Sequence, residues 1–315
     1  MVSAVLLAMI SGSCLLAATH LRRAQWPARG PYVAIIAWQA LGLAWGISTI
    51  GALLALGLTP YERGVVGGLF ALVRDAAAHG LMLPQLADPR LGALRGVAIV
   101  AAVGLTLLLF WGLVLSFVQV LRTRSRHRHL LELVGRDDPD VPGARVLDHP
   151  AAAAYCLPGV LNPQVVISAG ALAMLDRKEL AAVLAHEHAH LRQRHDLVLL
   201  PFSSLKRAFP RVRFMATCYN SVALLIEMCA DDQARRAHSP RELATALVRF
   251  GTAGNPTVPA GAMAVVPNPD QPEVLTRVSR LLNPGARLSR TTSTAVLLGS
   301  AALMATTLGL WNLPM

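Results

Sequence analysis

Four runs of this chain carry no charged side chain: Val2 to Thr19, Tyr32 to Leu58, Val97 to Leu121 and Thr294 to Trp311. Inside a bilayer the backbone finds no water to bond with, so a crossing segment must be helical. About 20 apolar residues cover the hydrocarbon core. The first three runs are near or above that length, and the fourth is just long enough. The rest of the composition agrees: 54% of the 315 residues are hydrophobic, 15% are charged, and mean hydropathy is +0.48. An ordinary soluble domain is not so apolar. The first run lacks the leading positive charge of a signal peptide. Its arginines, Arg22, Arg23 and Arg29, come after it, which predicts a retained helix with its N-terminus outside.

The other arginines extend that pattern. Arg122, Arg124, Arg126 and Arg128 follow the third run, and Arg287 and Arg290 precede the fourth. With four spans all three basic clusters fall on one side, and the positive-inside rule makes that side the cytoplasm. The expected organisation is therefore a three-span region over 1–121, a cytosolic domain over 122–293 and a fourth span over 294–315. The segment at about 59–94 becomes an external loop with mixed charge. The expected location is the plasma or inner membrane, multi-pass. Net charge is +11 and the pI about 10.7, but the arginines flanking spans are explained by anionic inner-leaflet lipid. No base-stacking aromatic set accompanies them, so the lipid bilayer is an expected partner and direct nucleic-acid binding is not. His127 and His129 fall in the basic stretch, which reads as a solvated juxtamembrane helix.

Between the third and fourth runs lies the chemistry-bearing sequence His186-Glu187-His188-Ala189-His190, an HExxH pattern. Residues i and i+4 share a helix face, so the rings of His186 and His190 can reach one ion. Glu187 then sits beside that ion, where it can take a proton from water. His188 points away and packs elsewhere. Asp176-Arg177-Lys178-Glu179 has the form of a capping box opening this helix, and Leu180 to Ala185 is an apolar, helix-favouring run. A catalytic zinc takes three protein ligands and keeps one open position. Phe214 to Ala230 is apolar enough to pass for a further span, yet it is short and contains Glu227. A carboxylate in so apolar a helix is costly unless it is paired or bound to a cation. The segment reads as a helix buried against the HExxH helix, with Glu227 as third ligand. Asp231, one turn on, is placed to hold a ligand imidazole by its other nitrogen. Two imidazoles and a carboxylate suit zinc best, one Zn2+ per chain. Ser239-Pro240-Arg241-Glu242 starts another helix, running to about Phe250. Gly251 to Pro259 is either a rim loop or a linker. Cys14, Cys156, Cys218 and Cys229 lack any CxxC spacing, so free thiols are expected.

HExxH followed by Glu227-x-x-Ala230-Asp231 resembles the gluzincin-type integral membrane peptidases, both the HtpX/CAAX-protease group and the BlaR/MecR-type regulatory peptidases of metallopeptidase family 56. Ala154 to Gly159 and Val165 to Ser168 look like their strand pair before the catalytic helix. Asp196 matches an acid six residues past the second histidine, a supporting residue of the site. Pro272 to Leu281, with Arg277, resembles their late proline-to-arginine segment. The HtpX group has a histidine just before that proline, where this chain has Gln271. The resemblance covers roughly 150–282. It implies a mostly α membrane protein: four transmembrane helices with a cytosolic α+β zincin-like metallopeptidase domain inserted between the third and fourth.

The reaction implied is peptide hydrolysis with Glu187 as the proton carrier. Arg277 is either a donor to the developing oxyanion or a salt-bridge partner for the acidic cluster near Asp231. The strands near 153–156 or 165–168 either pair with an extended substrate or are ordinary sheet members. Three spans, a cytosolic domain and a final span resemble the BlaR/MecR layout, without the external penicillin-binding sensor of its long members. The implied substrate is a cytosolic winged-helix repressor, in antibiotic-resistance or stress signalling. The alternatives are an HtpX-like quality-control protease and a non-catalytic signalling scaffold braced by zinc. A homo-oligomer is compatible with the sequence.

Overall fold

The structure, a computed structural model, describes residues 2–80, 88, 90–139, 141–159, 163–253, 263–264 and 272–313. It divides into two compact units, Met1–Gly112 with Leu288–Met315, and Leu113–Arg287.

The first unit holds α1 (Val2–Arg23), α2 (Pro31–Gly57), α3 (Val65–His79), the first part of α4 (Gly92–Val134) and α11 (Arg290–Gly309). Four helices are long and apolar enough to cross a membrane: α1, α2, α4, and α11 with its short 3-10 extension to Asn312. Small residues make their packing close. Ala34, Ala37, Ala40, Ala44 and Gly51 of α2 are all buried, and Ser11 meets Thr49 across α1 and α2 at 2.7 Å. Apolar helices in lipid gain nothing by hiding from water, so such close approach and interhelical hydrogen bonding hold them together. At Gly51 a Cβ would collide with Trp311 and Leu7. The segment read from sequence as an external loop is partly ordered: α3 lies within it. Its Leu69 and Leu72 pack on Leu54, Leu58 and Val65. Residues 81–87 and 89 lie outside the described residues.

α4 is 43 residues long, about 65 Å at 1.5 Å per residue, so it runs well past a bilayer's thickness without a break. Its basic stretch is not simply solvated. Arg124 pairs with Asp196 at 2.8 Å, His127 meets the Tyr155 hydroxyl at 2.9 Å, and Leu131 is buried against Tyr155, Leu157 and Val166.

The second unit is built on a five-stranded mixed sheet ordered β1-β2-β4-β3-β5. The strands are β1 (Gly135–Asp137), β2 (Ala144–Leu147), β3 (Ala154–Leu157), β4 (Gln164–Ser168) and β5 (Met263–Ala264). β2 and β4 run parallel, and the other pairs are antiparallel. β3 is buried on both faces, as its apolar sequence requires. One face packs on α4; the other packs on α6 (Arg177–Arg192) and α9 (Pro240–Thr252) through Cys156, Ile167, Val183, Leu247 and Phe250. Neither β3 nor β4 is an edge strand. Of the two readings of these strands, ordinary sheet membership is the one displayed: β4 is paired on both sides, and β5 pairs with Tyr155 and Cys156 of β3. β5 itself comes from far along the chain, out of reach of local sequence pattern.

Helices α5 (Ala169–Met174), α7 (His195–Ala208), α8 (Arg213–Ala234) and α10 (Pro272–Leu282) complete the unit. α8 is the buried helix expected over 214–230. The start of α6 is the expected capping box: Asp176 accepts from Lys178 and Glu179 backbone N–H groups, and Glu179 accepts from that of Asp176. Glu179 is further held by Arg249 of α9 at 2.7 Å. None of the four cysteines is in a disulfide, and all four are buried. The segment 254–262, in which the rim loop was expected, and Gln271 lie outside the described residues.

Candidate metal centre

The two helices that meet at the site are α6 and α8. The i, i+4 spacing stacks His186 and His190 on one face of α6, with ring centroids 4.8 Å apart and Nε2 atoms 3.1 Å apart. Glu227 comes from α8: its carboxylate oxygens stand 3.3 Å from His186 Nε2 and 3.5 Å from His190 Nε2. The three ligand atoms lie within 4.8 Å of one another, which one ion can satisfy. Among the described residues this is the one His/Cys/Asp/Glu group so arranged. Both histidines are fully buried, and the Glu227 side chain is 20% exposed. Two neutral imidazole nitrogens and one carboxylate oxygen match the donor set of a catalytic zinc. Brought this close without a cation, two ring nitrogens and a carboxylate can be satisfied only by extra protons.

Burial alone would push His186 down, but the carboxylates of Asp231 and Glu227 outweigh it and hold its pKa at about 9. Burial would also raise Glu227 and Asp231. The neighbouring His190 and Arg277 instead hold Glu227 well below the usual carboxylate range, and Arg277 with His186 holds Asp231 at about 2. Glu187 goes the other way: full burial raises its pKa, reinforced by the nearby Glu227 charge and opposed by the two histidines. Glu187 and Glu227 therefore titrate apart, one suited to carrying a proton and the other to staying charged.

Around this core the sequence-predicted residues take distinct places. Asp231 Oδ1 is 3.0 Å from His186 Nδ1, the position from which a carboxylate orients a ligand imidazole. Arg277 of α10 donates twice to Asp231, at 2.9 and 2.7 Å, and its third nitrogen is 2.9 Å from Glu227. Of the two roles expected of Arg277, the salt bridge to the acids is the one these contacts display. Arg280, one turn along, donates to Asp232 at 2.7 Å, so α10 is fastened to α8 twice. His188 bonds back to the Leu184 carbonyl at 2.7 Å, away from the cage. Asp196 is paired with Arg124, and the group that meets the second ligand's far nitrogen is its neighbour His195, with Nδ1 2.9 Å from His190 Nδ1.

Two residues of the site had no assigned role in the sequence reading. His195 is placed by a turn of two residues after α6, in which Arg194 adopts the left-handed conformation (φ 51°) and ties its side chain to the Gly159 carbonyl at 2.9 Å. Burial, with His190 alongside, pushes His195 down to about 3, so it is neutral. The local signal was its own spacing, a histidine five residues past His190. Cys156 of β3 donates its thiol hydrogen to the Glu187 carboxylate, and burial together with that acid pushes the thiol upward.

A buried His-His-Glu group, with a second glutamate on the HExxH helix and a carboxylate behind one imidazole, is an arrangement that could hold one metal ion. The comparison with known families agrees: the sequence model of Peptidase family M48, a zinc metallopeptidase family, matches residues 119–237. The match takes in β1 to β4, both ligand-bearing helices, all three donors and Asp231; Arg277 and α10 lie beyond it.

Proposed function

We propose that this protein is a membrane-bound zinc endopeptidase whose site is formed by His186, His190 and Glu227, with Glu187 as the proton carrier. The observation that supports it most is the meeting of three donors from α6 and α8 with a fully buried Glu187 on the same helix. Zinc held there supplies a Lewis-acidic charge, which in known sites lowers the pKa of water to about 7 and polarises carbonyl oxygens. Glu187, its pKa raised by burial, accepts the proton of the attacking water and delivers it to the departing nitrogen of the cleaved bond. Cys156 fixes the Glu187 carboxylate, Asp231 fixes His186, and Arg277 neutralises the two acids nearest the cage.

The proposed setting is a multi-pass membrane protein with the peptidase unit on the cytoplasmic side, as the arginine clusters indicate. The proposed substrate is a cytosolic protein, a winged-helix repressor in the first instance. A second reading is clipping of damaged membrane proteins. It follows from the resemblance to the HtpX group, and the family model that matches is M48, not family 56. Comparing new N-termini in cells carrying wild type and Glu187→Gln separates the two: a single repressor fragment supports regulation, and many membrane-protein fragments support quality control. Identical N-termini in both cells, with zinc retained, would remove the peptidase proposal.

A further inference from the structure

The two ligand histidines are oriented by different chemistry. Behind His186 stands a carboxylate, Asp231, which only accepts. Behind His190 stands another imidazole, which can donate or accept according to which nitrogen carries its hydrogen. That choice is made one residue further out. His195 Nε2 lies 2.9 Å from Gln193 Oε1. With the Gln193 carbonyl oxygen turned to it, as here, the partner has no hydrogen to give, and that orientation makes His195 Nε2 the N–H of its ring. Its Nδ1 then presents a lone pair, and the 2.9 Å contact with His190 Nδ1 is satisfied with His190 donating. His190 Nε2 is left bare, and this atom faces His186 Nε2 and Glu227. If the donor at Gln193 and the acceptor were exchanged, each hydrogen would move to the other nitrogen of its ring. His190 would then offer an N–H to the cage, where it could hold no metal.

We infer that Gln193 and His195 form a tautomer relay that presents the lone pair of His190 Nε2 to the ion, making both of them positioning residues. The inference rests on the metal site proposed above. The turn that builds the relay supports it: the left-handed Arg194 reverses the chain within two residues and brings the buried His195 edge-on to His190, with ring centroids 4.8 Å apart and planes at 81°. Gln193 itself is exposed and touches neither ligand, so changing it perturbs the relay without opening the core.

The test uses the full chain in detergent at high salt, where a charge at the exposed position 193 is screened. Zinc affinity is measured by chelator competition for wild type, Gln193→Glu, which can only accept, and Gln193→Lys, which can only donate. The expected result is affinity within about threefold of wild type for Glu and a loss of roughly tenfold or more for Lys, the scale of lost outer-shell partners at metal sites. Nitrogen-15 spectra of labelled histidines supply the second readout: in wild type and Gln193→Glu the hydrogen of His190 sits on Nδ1 and that of His195 on Nε2. Equal affinities and unchanged tautomers across all three proteins overturn the relay while leaving the metal site standing. A wild-type chain that binds no zinc overturns both.

Discussion

Replacing Arg277 by methionine removes a cation from between two buried acids. In the native protein Arg277 is 5% exposed, Asp231 1% and Glu227 20%, and the guanidinium reaches both carboxylates at 2.7–2.9 Å. Methionine fills much of the volume but leaves Asp231 without its charge partner. Breaking a buried pair from one side costs about 3–5 kcal/mol, because the remaining charge stays desolvated. The pKa of Asp231 gives a consistent figure. Held at about 2 against an ordinary 3.8, it contributes on the order of 2–3 kcal/mol at about 1.4 kcal/mol per unit. The sign follows from a depressed folded pKa: the contribution is fully present above about pH 4 and is lost as pH falls toward 2. For a unit of this size, each kcal/mol moves the midpoint by roughly 2–4 °C. Arg277→Met is therefore expected to lower the melting temperature of the metal-loaded protein by about 6–20 °C at pH 7, followed by scanning fluorimetry in detergent. Its acid unfolding should also begin at higher pH than in wild type. Arg277→Lys should fall between, since a point charge cannot grip Asp231 with two parallel bonds. A shift under 2 °C for Arg277→Met, with zinc retained, would show that the guanidinium does not neutralise these acids and would refute the reasoning.

Other expectations follow from the same geometry. Cys156→Ala removes the hydrogen bond that lowers the Glu187 pKa; since the base works deprotonated, the acid limb of the kcat/KM profile for peptide cleavage should move to higher pH. An unmoved profile would show that the thiol does not tune the base. Metal-free His186, held at about 9, must give up a proton to bind an ion, so zinc binding near pH 7 should release about one proton. Calorimetry in buffers of different ionisation enthalpy measures this directly. Phe250→Ala opens the core between α9 and the sheet, where Phe250 is 1% exposed, and should cost about 3–5 kcal/mol in chemical unfolding.

How much of this was readable in the sequence depends on how locally each feature is determined. The cage was readable because an i, i+4 pair on one helix and a lone acid in an apolar helix are local patterns with few physical solutions. The capping box at Asp176 was readable for the same reason. Features decided by tertiary contact were not. α3 was hidden in a segment with two adjacent glycines and mixed charge, where its packing against Leu54 and Leu58 outweighs a weak helical signal. β5 is two residues long and pairs with β3, more than a hundred residues earlier. His195 reaches His190 because Arg194 breaks the helix in a left-handed conformation, with no glycine to announce the turn. Both roles of Arg277 were stated from sequence; only the distances to Asp231 and Glu227 separate them.

The most direct test of the metal centre is X-ray absorption at the zinc edge on the purified, zinc-loaded chain. The account predicts one zinc per chain with only nitrogen and oxygen neighbours at about 2.0–2.1 Å, two of them imidazoles, and loss of that signal in Glu227→Ala. Sulfur neighbours at about 2.3 Å, or a spectrum unchanged in Glu227→Ala, would place the ion elsewhere and contradict it.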